Sequence, residues 1–118
     1  LAGYLTAINA IRRAHPALSW LRNITFHHAD DENVMCFSKR RVLPDGTQDT
    51  IIVVANLDPH STRATTVHLD MRALGLEYYE GFVAHDLLTG QSWHWVAQNF
   101  VRLGADNEPV HIIHVRRY

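Results

Sequence analysis

Histidine is the side chain with the most chemistry to offer here: nine of 118 residues carry an imidazole. A zinc site needs three or four ligands, each about 2 Å from the metal. The spacing does not supply them. His27 and His28 are neighbours in a stretch that reads as a strand, so they point to opposite faces. His111 and His114, three apart in another such stretch, do the same. No Cys-x-x-Cys or His-Glu-x-x-His pattern occurs. Metal ligands and cofactor-binding residues are expected to be none, with the histidines hydrogen-bonded or solvated.

Other chemistry fares no better. Asp30-Asp31-Glu32 clusters three carboxylates, but a pair that works on a glycosidic bond must flank a cleft. Three adjacent acids ahead of Asn33 read as a solvated turn. Cys36, the only cysteine, lies in the apolar run Val34-Met35-Cys36-Phe37, where a thiol acts as a small buried hydrophobe. It has no internal disulfide partner, so a reducing, cytoplasmic setting is expected. Neither Gly-x-Ser-x-Gly nor a glycine-rich phosphate loop is present. Catalytic residues are expected to be none.

The remaining candidate is Trp93-His94-Trp95. On a strand the two indoles share one face, and Trp93 with Trp95 would make a flat platform on which a sugar ring could stack. The competing reading is that both fill the core, since indoles gain much from burial. Tyr78, Tyr79 and Phe82 pose the same choice.

Bulk properties narrow the partners. The formal net charge is −1, from eleven basic and twelve acidic residues. The basic runs, Lys39-Arg40-Arg41 and Arg116-Arg117, would split their charge between two strand faces. No stripe for nucleic acid results, and none is expected as a partner. The longest apolar run, Ile51-Ile52-Val53-Val54-Ala55, falls far short of the roughly 18 residues of a membrane span, so no membrane is expected. Asn23-Ile24-Thr25 matches a glycosylation sequon, but nothing else suggests a secretory route.

The elements that would position these residues follow from periodicity. Leu1, Tyr4, Leu5, Ile8 and Ile11 fall on one helical stripe. No capping residue precedes them, and His15-Pro16 closes the pattern. The expectation is an amphipathic helix over residues 1–15, continued from something upstream and packing that stripe against it. After Trp20 the period becomes 2. Strands are expected near Ile24–His28, Val34–Lys39, Thr50–Asn56, Thr65–Leu69, Tyr79–Asp86, Gln91–Trp95, Asn99–Leu103 and Val110–Arg116, with one helical turn at Met71–Leu74. Turn residues punctuate them, and no helix-length segment remains for parallel crossovers. The fold class is therefore mainly β: one N-terminal amphipathic helix, then an antiparallel β-sandwich of about eight strands over residues 16–118.

Leu5-x-x-Ile8-Asn9-x-Ile11-Arg12-Arg13-x-His15-Pro16-Ala17-Leu18 resembles the last barrel helix of the α-amylase superfamily. Asn56-Leu57-Asp58-Pro59-His60 resembles a strand exit in the C-terminal domains of that superfamily. His85-Asp86-Leu87-Leu88-Thr89-Gly90, with the aromatics after it, resembles their hairpin. Phe26-His27-His28, Cys36-Phe37-Ser38-Lys39-Arg40 and Gln98-Asn99-Phe100-Val101-Arg102-Leu103 resemble the end of the bacterial α-1,4-glucan:maltose-1-phosphate maltosyltransferases. Trp93 and Phe100 stand where tyrosine is the usual residue. Trehalose synthases share the scaffold and stay open as an alternative.

The resemblance implies that the chain supports an upstream catalytic barrel of the same polypeptide. The catalytic carboxylates would lie on that barrel. The parent would transfer maltosyl units from maltose 1-phosphate to α-1,4-glucan with retention, without a cofactor. It also allows a homodimeric parent. A carbohydrate-binding module using Trp93 and Trp95 is the alternative role.

Overall fold

A computed structural model describes residues 24–58, 60–105 and 108–118. The period-2 segments form eight strands there: β1 (Ile24–Ala29), β2 (Val34–Val42), β3 (Gln48–Asn56), β4 (Arg63–His68), β5 (Phe82–Asp86), β6 (Ser92–Trp95), β7 (Gln98–Leu103) and β8 (Val110–Arg116). A single 3₁₀ turn at Met71–Leu74 separates β4 from β5. Gly75 ends that turn in the left-handed region at φ 79°. That backbone conformation is the reason for glycine here, and a Cβ would in addition displace the ends of the Gln48 and Arg40 side chains.

Every pairing is antiparallel, in the order β6-β5-β8-β3-β2-β1-β4-β7. β1 makes the sheet continuous. Ile24–His27 pair with β2, and His28 and Ala29 then pair with β4. One short strand thus carries the chain around a corner and folds β4 and β7 over the larger surface. Val34, Cys36, Ile52, Val54, Val67, Phe82, Trp95, Leu103 and Ile113 fill the space enclosed. Burial pushes the Cys36 thiol up to about 12, which leaves it protonated and inert.

Turn residues act through their side chains. The Asp31 carboxylate accepts the Asn33 N–H at 2.8 Å, and Asp45 accepts both the N–H and the hydroxyl of Thr47. Asn56 does more. Its amide nitrogen donates to the carbonyls of Ser61, Leu103 and Gly104, and its oxygen accepts the Asp58 N–H. The strand exit beginning Asn56-Leu57 therefore joins the ends of β3 and β7.

The expectation of a leading helix is corrected, while an antiparallel arrangement of eight strands with β4 and β7 folded over the larger surface fits the expected sandwich. The eight strands belong to one curling sheet, nearly closed like a barrel. No α-helix occurs among the described residues, so the structure gives the N-terminal helix no support. Residues 1–15 and the stripe Leu1, Tyr4, Leu5, Ile8 and Ile11 lie outside the described residues, as does the domain boundary after residue 15. The near-closure of the sheet was not visible in the sequence because period 2 records which way a side chain points. It does not record which strand lies alongside, so one strand serving two partners is invisible to it. The apolar spacing of the stripe shows which face a helix would bury, but about 14 residues are marginal for a helix in water.

Candidate functional site

The two ends of the sheet order, β6 and β7, face one another across the place where closure fails. Val96 and Ala97 alone connect them. Asn99 braces that corner from inside: its amide nitrogen donates to the Val96 carbonyl at 2.6 Å, and its oxygen accepts the Val96 N–H at 2.9 Å. Beside the corner lies an open groove of about 590 Å³, lined by residues of β6 and β7 together with Glu108 and His111. That size is within the usual range of ligand sites.

Trp93 and Trp95, paired by their spacing, are separated by depth. Trp95 lies opposite Phe82 in the core, 6% exposed, with the rings edge to face at 6.4 Å. Trp93 stays at the groove, 36% exposed. Its ring meets His111 edge to face at 5.6 Å. The structure therefore puts one indole at the surface instead of two side by side. Phe100, 70% exposed on β7, is the second aromatic of the groove. Its signal in the sequence was the alternation Asn99, Val101, Leu103, which turns Phe100 outward.

Beneath Trp93 is a buried polar anchor. His111 Nδ1–H donates to Asp86 Oδ2 at 3.1 Å, and Asp86 is fully buried. The same carboxylate accepts the Leu88 N–H and the Thr89 hydroxyl. Burial alone would push the Asp86 carboxyl up, but the bonds from His111, Leu88 and Thr89 outweigh it and hold the group below its usual range. The Asp86–Gly90 segment owes its residue types to this anchor. Gly90, at φ 79°, supplies the tight return.

Two serine–histidine pairs were missed in the sequence, because their members lie seven and eleven residues apart on paired strands. His27 Nε2 lies 2.8 Å from Ser38 Oγ. The Asp70 N–H donates to His27 Nδ1, so Nε2 carries the proton and donates to the serine. That polarity is the reverse of what a general base needs. Burial holds the His27 pKa down, against a smaller upward pull from Asp70. His85 Nδ1 lies 2.7 Å from Ser92 Oγ at an exposed position. Among the described residues no carboxylate is bonded to that ring to orient it.

Three further histidines bond at the surface. His28 and His68 share the Asp30 carboxylate at the surface, and His94 bonds the Tyr118 hydroxyl. Among the described residues no three His, Cys, Asp or Glu side chains gather as metal ligands. Asp30-Asp31-Glu32 forms the turn after β1, where Asp31 and Asp58 both face Arg63.

Fold and site together define an antiparallel β-domain with an open, aromatic-rimmed groove and a polar anchor. The model of the "GLGE, C-terminal" family matches residues 26–115, and the chain belongs to that family. It is 46% identical over 117 residues to α-1,4-glucan:maltose-1-phosphate maltosyltransferase 2 of Streptomyces coelicolor, covering 99% of this chain and 17% of that protein. The maltosyltransferase of Corynebacterium glutamicum is 46% identical over 112 residues, covering 95% of this chain and 16% of that protein. That of Mycobacterium tuberculosis is 36% identical over 115 residues, covering 98% and 16%. These relatives are transferases, and the chain spans about a sixth of their length.

Proposed function

We propose that this chain is the non-catalytic C-terminal domain of an α-1,4-glucan:maltose-1-phosphate maltosyltransferase, packed against the catalytic barrel of the same polypeptide. The parent moves a maltosyl unit from maltose 1-phosphate to the non-reducing end of an α-1,4-glucan. The observation that carries this reading is the match along nearly the whole chain to enzymes about six times its length. A reducing, cytoplasmic setting suits the buried, unpaired Cys36.

The outer face of the large sheet supports the packing role. The registers align Phe26, Phe37, Val53 and Ile112 across β1, β2, β3 and β8. Ile51 and Ile112 are buried on that face with Val53, Leu87, Leu88 and Val110 packed against them. Phe26 remains 69% exposed and Ile24 38%. An apolar row on this scale is the usual mark of a contact surface.

Phe26→Asp tests the packing. It should leave the thermal midpoint of the 118-residue chain unchanged and lower that of the full-length polypeptide by several degrees. An unchanged full-length midpoint overturns the assignment of this face. A direct assay tests the rest: the chain alone should form no new glucan from maltose 1-phosphate and glycogen, whereas the full-length polypeptide should. Turnover by the chain alone would refute a non-catalytic role.

A further inference from the structure

We infer that the groove between β6 and β7 is a secondary binding site for an α-1,4-linked glucan chain, with Trp93 and Phe100 as its stacking surfaces. This rests on the proposed parent activity and adds a place where the polymer is held apart from the chemistry.

Both aromatics stand at the groove with their rings accessible, and Trp93 is held in position. Its ring packs at a steep angle against His111, His111 is bonded to Asp86, and Asp86 is gripped by Leu88 and Thr89. A stacking ring already locked in place loses little entropy when a ligand arrives. Between and beside the aromatics stand Gln98, Arg102 and Glu108. Planar amide, guanidinium and carboxylate groups match the adjacent hydroxyls of a pyranose, while the C–H faces of the sugar match the rings. Glu108 is the one non-glycine residue with positive φ among the described residues, at 52°. A costly backbone conformation at the rim of a groove is where function is to be sought.

The alternative occupant of two unclosed sheet edges is a β-strand from another chain. The corner argues against it. Asn99 already takes both the N–H and the C=O of Val96, and β6 offers only four residues. A neutral polymer that binds through side chains needs neither edge.

The test is electrophoresis of the full-length polypeptide in native gels with graded soluble glycogen, giving a Kd from the retardation. Trp93→Ala should weaken that Kd about tenfold, a loss of one stacked ring. Phe100→Ala, at a position too exposed to threaten the fold, should weaken it about threefold to tenfold. Val42→Ala, on a distant hairpin, should match the parent. Undiminished retention in both aromatic variants overturns the proposal and leaves the seam to a strand-donating partner. Equal loss in Val42→Ala overturns it too, by making the effect non-specific. Assay of the same preparations separates the two readings: no maltosyl transfer by the unmodified polypeptide is a failure of the proposed activity. Transfer with unaltered glycogen retention in the aromatic variants is a failure of the groove alone.

Discussion

Two buried histidines sit in different parts of this sheet and are wired in opposite senses. His27 lies where β1 crosses from β2 to β4, between the Ser38 hydroxyl and the Asp70 N–H. Both partners are neutral, so burial dominates and the ring is kept uncharged. His111 lies beneath the groove against the fully buried Asp86 carboxylate, whose negative charge is favoured by the bonds from His111, Leu88 and Thr89. The first corner depends on the absence of a proton, and the second on the presence of a negative charge. A sheet folded from one continuous ladder can thus hold two joints that fail at different acidities.

The largest effect should come from removing the charge. Asp86→Ala leaves the buried His111 ring, the half-buried Leu88 N–H and the exposed Thr89 hydroxyl without their acceptor, and urea denaturation should show a loss of about 3 kcal/mol. A loss below about 1 kcal/mol would mean that water replaces the carboxylate and that the joint is not a closed one.

Next, Ser38→Ala should cost about 1–3 kcal/mol, because the His27 Nε2–H is left buried without a partner. Asn99→Ala, which frees both backbone groups of Val96, belongs in the same range and should also raise hydrogen exchange at the Val96 amide. If exchange there does not change, the corner is held by something other than Asn99.

The pH dependence should separate the two joints. The His27 pKa is depressed by folding, so the unfolded chain takes up a proton first as pH falls. Stability from this site is complete above the unfolded value of about 6.5. It declines below that at up to about 1.4 kcal/mol per pH unit, until the folded ring is itself protonated. Asp86 is also depressed, but from about 3.9, so its contribution is complete well above that pH and is lost as pH falls from there through the folded value. Urea midpoints between pH 7.5 and 5 should therefore drop in the parent and drop less in His27→Gln. Identical slopes would contradict the wiring of His27. The smallest effect concerns the exposed Glu80–Arg117 pair, whose removal in Arg117→Ala should leave the midpoint unchanged.

Much of the fold was legible in the sequence, and the illegible part has specific causes. All eight strands fall where alternation and turn residues place them, as does the turn at Met71–Leu74. Their ends shift for local reasons. β5 begins at Phe82, not Tyr79, because the Glu80 carboxylate accepts the Glu77 N–H and its own N–H bonds the Glu77 carbonyl, closing a turn. β3 begins earlier, at Gln48, because Val42 pairs with it across the hairpin. The partner switch in β1 was hidden, since no residue type marks it.

At the groove, spacing put Trp93 and Trp95 on one face but could not say how far each lies from the rim. The His27–Ser38, His85–Ser92 and Asp86–His111 pairs were beyond reach, because they depend on register between strands. The strand exit at Asn56 and the Asp86-Leu87-Leu88-Thr89-Gly90 hairpin are legible in the sequence only as resemblances. The structure supplies their reason: each centres on one side chain with several partners, backbone groups around Asn56 and one backbone N–H with two side chains around Asp86.

Asn56 carries a consequence for how such a domain ages. Its side-chain nitrogen is a donor to three carbonyls, so slow hydrolysis of that amide to an acid would set a negative oxygen against three others. The junction of β3 with the loop leading into β4 and with the end of β7 would open without any change in the surrounding core. Chemical wear at one amide would be felt first as a loosening between the two halves of the sheet.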